Sequence, residues 1–291
     1  MPFAYAVVGG DARLVKLAGL LTQENALVRA FGQDETPPGP PVRYLRSLQE
    51  TVADCDMAVL PIPLLRRDGA LNMPLMAKAI APQELLQALP RGCVLAAGLV
   101  PPDFRSQAES GGVVVVDYAE REDLAVKNAV PTAEGALQIA MEQMTITIHR
   151  CRALVIGYGR IGKILARYLA ALGAAVTVGA RSLKDHSWIA VQGYESVYTD
   201  ALSPHLHRYD AVFNTVPHPV LGEALLRQLP KHCLLLDLAS APGGIDIDAA
   251  KRLGLHCLRA LALPGKCAPD TAAANLRDTL LNIMNEKRVA L

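Results

Sequence analysis

The sequence predicts an α/β protein built from two Rossmann-like, doubly wound parallel-sheet domains with an interdomain cleft. Three observations carry that prediction. The chain has 291 residues, more than one compact domain of roughly 100 to 200 residues accounts for. Short runs rich in Val, Leu and Ala recur without polar alternation, which is the pattern of parallel strands buried on both faces. Midway along, the glycine-rich string Gly157-Tyr158-Gly159-Arg160-Ile161-Gly162 sits between an apolar run and a helical pattern.

Composition narrows the class. With 51% hydrophobic and 20% charged residues, each half can bury its own core. The formal net charge is +1, and no run of Lys or Arg interleaved with aromatics appears. A nucleic-acid partner is therefore not expected, and a small molecule is. Six scattered cysteines (Cys55, Cys93, Cys151, Cys233, Cys257, Cys267) form no C-x-x-C pair. That argues against a zinc ribbon and a disulfide framework, and no metal site is expected. His205 and His207 have no ligand-type residue at metal spacing and read as surface loop. The start Met1-Pro2-Phe3-Ala4-Tyr5 lacks the basic segment of a signal peptide. No apolar stretch reaches the roughly 18 to 20 residues that span a bilayer. A cytoplasmic protein without a membrane partner is the expectation.

In chain order, residues 1–130 form the substrate-side domain, with strands expected at 3–8, 26–31, 57–61, 93–97 and 113–118. The segment 35–41 holds four prolines, which remove donors and fix φ, and reads as a surface loop. Residues 131–149 read as a linker helix, because Leu137, Met141, Met144 and Ile148 share one face. Pro131 and Thr132 supply the start signal, with Thr132 as N-cap. Residues 150–270 form the dinucleotide domain, with strands at 151–156, 175–179, 211–214 and 233–238 in βαβαβ order. Leu276, Leu280 and Ile283 mark an amphipathic helix in residues 271–291, returning towards the first domain.

The glycine turn carries the most specific chemistry. It follows the apolar Ala153-Leu154-Val155-Ile156 and opens a helix, the context that turns a weak G-x-G-x-x-G string into a dinucleotide fingerprint. Gly157 permits the tight turn, Gly159 lets a pyrophosphate approach and Gly162 lets the helix pack closely, with free amides and the helix dipole facing the phosphates. At the next strand end, where an NAD-preferring domain places an acid, stand Ala180-Arg181-Ser182. Arg181 can pair with a 2′-phosphate and Ser182 can donate to it, so NADP is expected; Arg181 as a solvated strand-end charge is the alternative. Asn214-Thr215-Val216-Pro217 and Leu238-Ala239-Ser240 complete the expected cofactor pocket from two further strand ends. Asp237 either joins them or caps its loop.

Candidate substrate residues are fewer. Gly9-Gly10-Asp11-Ala12-Arg13 lacks a third glycine and suits a small carboxylate better than a dinucleotide; Asp11 as N-cap and Arg13 as a surface charge is the plain alternative. Lys266, in Leu263-Pro264-Gly265-Lys266, either pairs with a substrate carboxylate or is solvated. Asn128, Thr132 and Glu134, at the expected N-terminus of the linker helix, are catalytic candidates, although Glu134 equally suits a first-turn acid.

The strings Gly9-Gly10-Asp11-Ala12-Arg13, Pro131-Thr132-Ala133-Glu134-Gly135, Gly179-Ala180-Arg181-Ser182, Asp237-Leu238-Ala239-Ser240 with Pro242-Gly243-Gly244, and Leu263-Pro264-Gly265 with Ala268-Pro269 together resemble the A subunits of dipicolinate synthase. The resemblance spans nearly the whole chain in order. More distantly, the architecture is similar to alanine dehydrogenases and 2-hydroxyacid dehydrogenases. It implies oxidation of dihydrodipicolinate, a small ring dicarboxylate, to dipicolinate with NADP in the mother cell of a spore-former. The flavoprotein-like B subunit of dipicolinate synthase is the implied partner, and a homo-oligomer is expected. One departure is visible: the family often carries Arg where this chain has Ala241, so Arg13 or Lys266 would have to substitute. Two other readings stay open, a dehydrogenase of a 2-oxo or amino acid and a non-catalytic NADP-sensing or assembly subunit.

Overall fold

The computed structural model describes residues 2–33 and 42–289, so the expected proline-rich loop at 35–41 lies outside the described residues. The chain divides into two compact units, one of residues 1–127 with 268–291 and one of residues 128–267.

In the first unit, β1 (Ala4–Val8), β2 (Leu27–Phe31), β3 (Arg43–Tyr44), β4 (Met57–Val59), β5 (Val94–Ala97) and β6 (Val114–Asp117) form one sheet in the order β3-β2-β1-β4-β5-β6. Every pair is parallel. All five residues of β1 are buried, because side chains alternate across the sheet. Ala6 and Val8 pack with Phe31 and Leu95. Tyr5 and Val7 pack with Leu14, Leu17 and Leu21, and on the same side with Leu276, Leu280 and Ile283 of the helix Pro269–Val289. Fully burying one such side chain stabilises by about 1.5–3 kcal/mol.

The second unit repeats the plan with β7 (Arg152–Ile156), β8 (Ala175–Ala180), β9 (Glu195–Tyr198), β10 (Ala211–Asn214), β11 (Leu234–Asp237) and β12 (His256–Arg259). The order is β12-β11-β10-β7-β8-β9, again all parallel. Ala153 and Val155 face Leu165, Leu169 and Phe213, while Leu154 and Ile156 face Val212 and Leu235. Each sheet therefore has the doubly wound order with its reversal beside the first strand, between β1 and β4 and between β7 and β10. Ligands of such sheets bind beyond the carboxyl ends of the strands at that reversal.

The expected linker helix at 131–149 is corrected. The helix runs Glu122–Gln143 with Pro131 inside it, and the segment 144–151 that follows is not helical. Thr132 is thus no N-cap; its hydroxyl donates 2.7 Å back to the Asn128 carbonyl, one turn earlier. The start signal is Glu122 and Asp123, two first-turn acids that complement the helix dipole. Gly135 serves packing: a Cβ there would lie 2.8 Å from the Cys267 Sγ and 3.1 Å from the Leu263 Cβ. The short helix Leu263–Cys267 thereby comes close.

Candidate functional site

The glycine turn of the second unit shows three different reasons for three glycines. Gly157 has φ +100°, and a Cβ there would meet the Thr215 Oγ1 at 2.4 Å. A Cβ on Gly162 would lie 2.0 Å from the Gly157 carbonyl oxygen, so only glycine lets the helix Arg160–Ala171 start this close to the strand. Gly159 is the N-cap of that helix with no side-chain cap, and a Cβ there would meet no protein atom within 4 Å. Nothing inside the protein demands glycine at 159. The space it keeps open lies in front of first-turn amides that lack intrahelical acceptors, which is what a pyrophosphate requires.

That space belongs to a cleft of about 710 Å³ lying wholly within the second unit. Gly157, Tyr158, Gly159, Arg160 and Ile161 form its floor, Ala180, Arg181 and Ser182 one rim, and Thr215, Val216 and Pro217 the other. Arg181 follows the last residue of β8, is exposed, and carries no ion pair among the described residues. Ser182 caps the helix Leu183–Val191: its Oγ accepts from the Asp185 amide at 3.1 Å and donates to the Asp185 carboxylate at 2.7 Å. Asp185 and Asp200 also line the cleft. Sequence reasoning passed over both, and over Thr199 and His218, because none of them sits in a recognisable string.

Asn214 and Asp237 lie behind the cleft, both with no exposed surface. The Asn214 amide donates to an Asp237 oxygen at 2.8 Å and to the Val216 carbonyl at 2.9 Å, and its own oxygen accepts from the Val216 amide at 3.2 Å. Asp237 accepts further from the amides of Ala239, Gly244 and Ile245. The pair fixes the loops after β10 and β11, so Asp237 caps its loop. Leu238 and Ala239 are buried, Ser240 is exposed, and none of the three lines the cleft. Near this loop a cation arrives that no string announced. The Arg259 guanidinium, from the end of β12, stands 3.1 Å from where a Cβ on Gly243 would lie, two residues beyond Ala241.

Asn128, Thr132 and Glu134 lie within the helix Glu122–Gln143 rather than at its start; Glu134 is exposed. Lys266 is exposed on the short helix Leu263–Cys267. None of the six cysteines is in a disulfide. Burial pushes the Cys151 and Cys257 thiols up to about 11 and Cys233 to about 12, which leaves them protonated and poor nucleophiles.

In the first unit, Asp11 caps the helix Ala12–Thr22. Its carboxylate accepts from the Arg13 amide at 3.0 Å, from the Arg13 Nε at 3.0 and 3.1 Å and from Nη2 at 2.8 Å. Burial works against the Arg13 charge, and Asp11 more than offsets it, holding the guanidinium above its ordinary value. The Gly9 and Gly10 amides are spent on the Phe31 and Asn72 carbonyls, at 2.8 and 3.1 Å.

Comparison with known proteins divides the chain at the same place as its motifs. Residues 4–119 match the model for the N-terminal domain of the dipicolinate synthase A subunit, and residues 125–244 match that for the D-isomer specific 2-hydroxyacid dehydrogenase NAD binding domain. The A subunit of dipicolinate synthase of Bacillus subtilis (strain 168) is 33% identical over 283 residues, 97% of this chain and 95% of that protein. Among solved structures, the same A subunit from Bacillus subtilis superposes with a TM-score of 0.89 at 31% identity, covering 100% of this chain and 98% of that one. The A subunit from Bacillus halodurans gives 0.88 at 30% identity, covering 97% of each.

Proposed function

Because this chain belongs to the family of dipicolinate synthase A subunits, we propose that it is the oxidoreductase component that converts dihydrodipicolinate to dipicolinate with NADP as hydride acceptor. The observation that carries the reading is the open Gly159 cradle in a chain that matches this family from end to end. We place it in the cytoplasm of the sporulating mother cell, as a homo-oligomer working with the flavoprotein-like B subunit. In net terms the ring loses one hydride and one proton and becomes an aromatic pyridine. NADP, when bound, supplies the acceptor for the hydride.

The protein's share is positioning and exclusion of water, since aromatisation drives the reaction. First-turn amides at 159–162 hold the pyrophosphate. Arg181 pairs with the 2′-phosphate, the feature that favours NADP. Asn214 and Asp237 hold the loop carrying Thr215 to Pro217 against the nicotinamide ribose and brace the loop Leu238 to Ser240 behind it. Asp11 grips Nε and Nη2 of Arg13, which orients the remaining Nη1 for a substrate carboxylate; Lys266 takes another. Glu134 accepts the ring proton, and Asn128 and Thr132 orient the substrate, Thr132 as an acceptor because its hydrogen is committed.

The test mixes the purified chain with NADP and freshly generated dihydrodipicolinate, with and without a cognate B subunit, and follows NADPH. Formation by this chain alone is expected. Formation only with the partner makes the site composite, and none in either mixture moves the reading to a 2-oxo or amino acid substrate or to an NADP-sensing role. Replacing Arg13 with Ala raises the substrate KM while NADP affinity stays put; an unchanged KM removes Arg13 from the site.

A further inference from the structure

A second concavity lies on the second unit, on the side of its sheet covered by the helices Arg160–Ala171 and Leu183–Val191, with about 560 Å³ of space. That is within the range of small-molecule pockets, roughly 300–1,000 Å³. Its walls hold the rings of Tyr158, Tyr168, Trp188 and Tyr194, together with the cations Lys163 and Arg167, and no carboxylate among the described residues. The assembly follows from helical periodicity. Lys163 and Arg167 are one turn apart, which puts their Cβ atoms about 5–6 Å from each other on one face. Tyr168 and Ile164, on the neighbouring stripe, pack towards the core, and Trp188 on the facing helix remains 52% exposed.

The groove joins exposed ring surface with exposed positive charge. An exposed tryptophan beside three partly buried tyrosines is a large apolar patch. Lys163 already stands 5.4 Å from the centre of the Tyr158 ring, the arrangement of a cation over a ring face. The two cations have no acidic neighbour in the groove, among the described residues, to neutralise them. Flat rings on the walls select a flat ring, and two cations one turn apart select two negative groups carried by one molecule.

We propose that this groove binds a planar aromatic dicarboxylate, its ring against Trp188 and the tyrosines and its two carboxylates on Lys163 and Arg167. Tyr158 lines both this groove and the dinucleotide cleft, so the two ligands share a wall. Identifying the ring with the product of the reaction rests on the function proposed above; the preference for an aromatic dianion rests on the groove alone. A pyridine dicarboxylate in this place makes it a product-sensing site separate from the site of hydride transfer.

Trp188 is the one tryptophan of the chain, so its fluorescence reports on the groove directly. The intact chain, without dinucleotide, is titrated with pyridine-2,6-dicarboxylate, benzene-1,3-dicarboxylate and the non-aromatic glutarate. Saturable quenching by both aromatic dianions and none by glutarate is expected. In the double variant Lys163→Ala, Arg167→Ala the affinity falls roughly tenfold or more, while dinucleotide affinity, which certifies the fold, is retained. Equal affinity in the double variant, equal binding of glutarate, absence of saturation, or a tryptophan signal that changes with protein concentration alone overturns the proposal. The benzene arm keeps the outcome separate from the function above: its binding stands whether or not the chain turns over dihydrodipicolinate.

Discussion

Gly159 and Gly162 occupy one turn for opposite reasons, and substitution separates them. An alanine methyl at 159 enters open space, so Gly159→Ala leaves the melting temperature unchanged and weakens dinucleotide binding about tenfold or more, equivalent to ~1.4 kcal/mol. At 162 the same methyl meets a backbone oxygen at 2.0 Å, and Gly162→Ala lowers stability by about 1–3 kcal/mol. Thermal denaturation and a dinucleotide titration on both variants read the contrast; a loss of stability at 159 would falsify the ligand-space assignment. Arg181→Ala tests cofactor choice. Losing a charge-assisted contact worth about 1.5–3 kcal/mol loosens NADP by roughly tenfold or more and leaves NAD alone. Equal effects on both cofactors would take Arg181 away from the 2′-phosphate.

At the scale of elements, the C-terminal helix is tied to the start of the helix Glu122–Gln143 by charge. Arg121 bonds Asp123 at 3.0 Å and Glu286 at 2.6 and 2.8 Å. The Arg121 guanidinium holds Asp123 down at about 2 and Glu286 below the usual carboxylate range. Carboxylates with depressed folded values lend stability above their unfolded values, about 3.9 for Asp and 4.3 for Glu, and lose it as pH falls through the folded ones. Amide protection in the helix Pro269–Val289 is therefore expected to decline between about pH 4 and 2 in the native chain. Hydrogen exchange on Arg121→Ala should show lower protection at neutral pH and a flatter course across that window. The elements themselves were unequally legible. Central strands such as β1 and β7 stand out because both faces are buried. The three strands that sequence reading missed, β3, β9 and β12, are all edge strands; β9 buries only Val197 fully and β12 buries none of its residues fully, so no apolar run betrays them. Pro131 misled in a different way, since a proline marks a helix start more readily than it marks a position tolerated inside one. The site follows the same rule. The glycine turn is contiguous and readable, whereas Asp200 and Arg259 stand just beyond β9 and at the end of β12, the edge strands that no apolar run announces.

The whole molecule consists of two units with sheets of like order, and only the second unit is continuous in sequence. The first unit takes its last helix from residues beyond 267, and that helix lays Ala273, Leu276, Leu280 and Ile283 against Leu14, Leu17 and Leu21. Each large side chain contributes about 1.5–3 kcal/mol, a sum comparable with the stability of an ordinary domain. A chain ending at Cys267 is expected to keep a protease-resistant second unit that binds dinucleotide, because its cleft draws on no residue beyond 220, while the first unit becomes sensitive. Limited proteolysis with and without dinucleotide checks this; resistance of residues 1–127 in the shortened chain would refute it. The same discontinuity sets an order of events at the ribosome. The strands between residues 4 and 117 leave the exit tunnel with one face only partly covered and cannot complete that layer until the helix Pro269–Val289 has been translated. Residues 128–267 are all translated before that helix, so a pause between Cys267 and Val289 leaves the second unit whole and penalises the unit whose strands were made earlier.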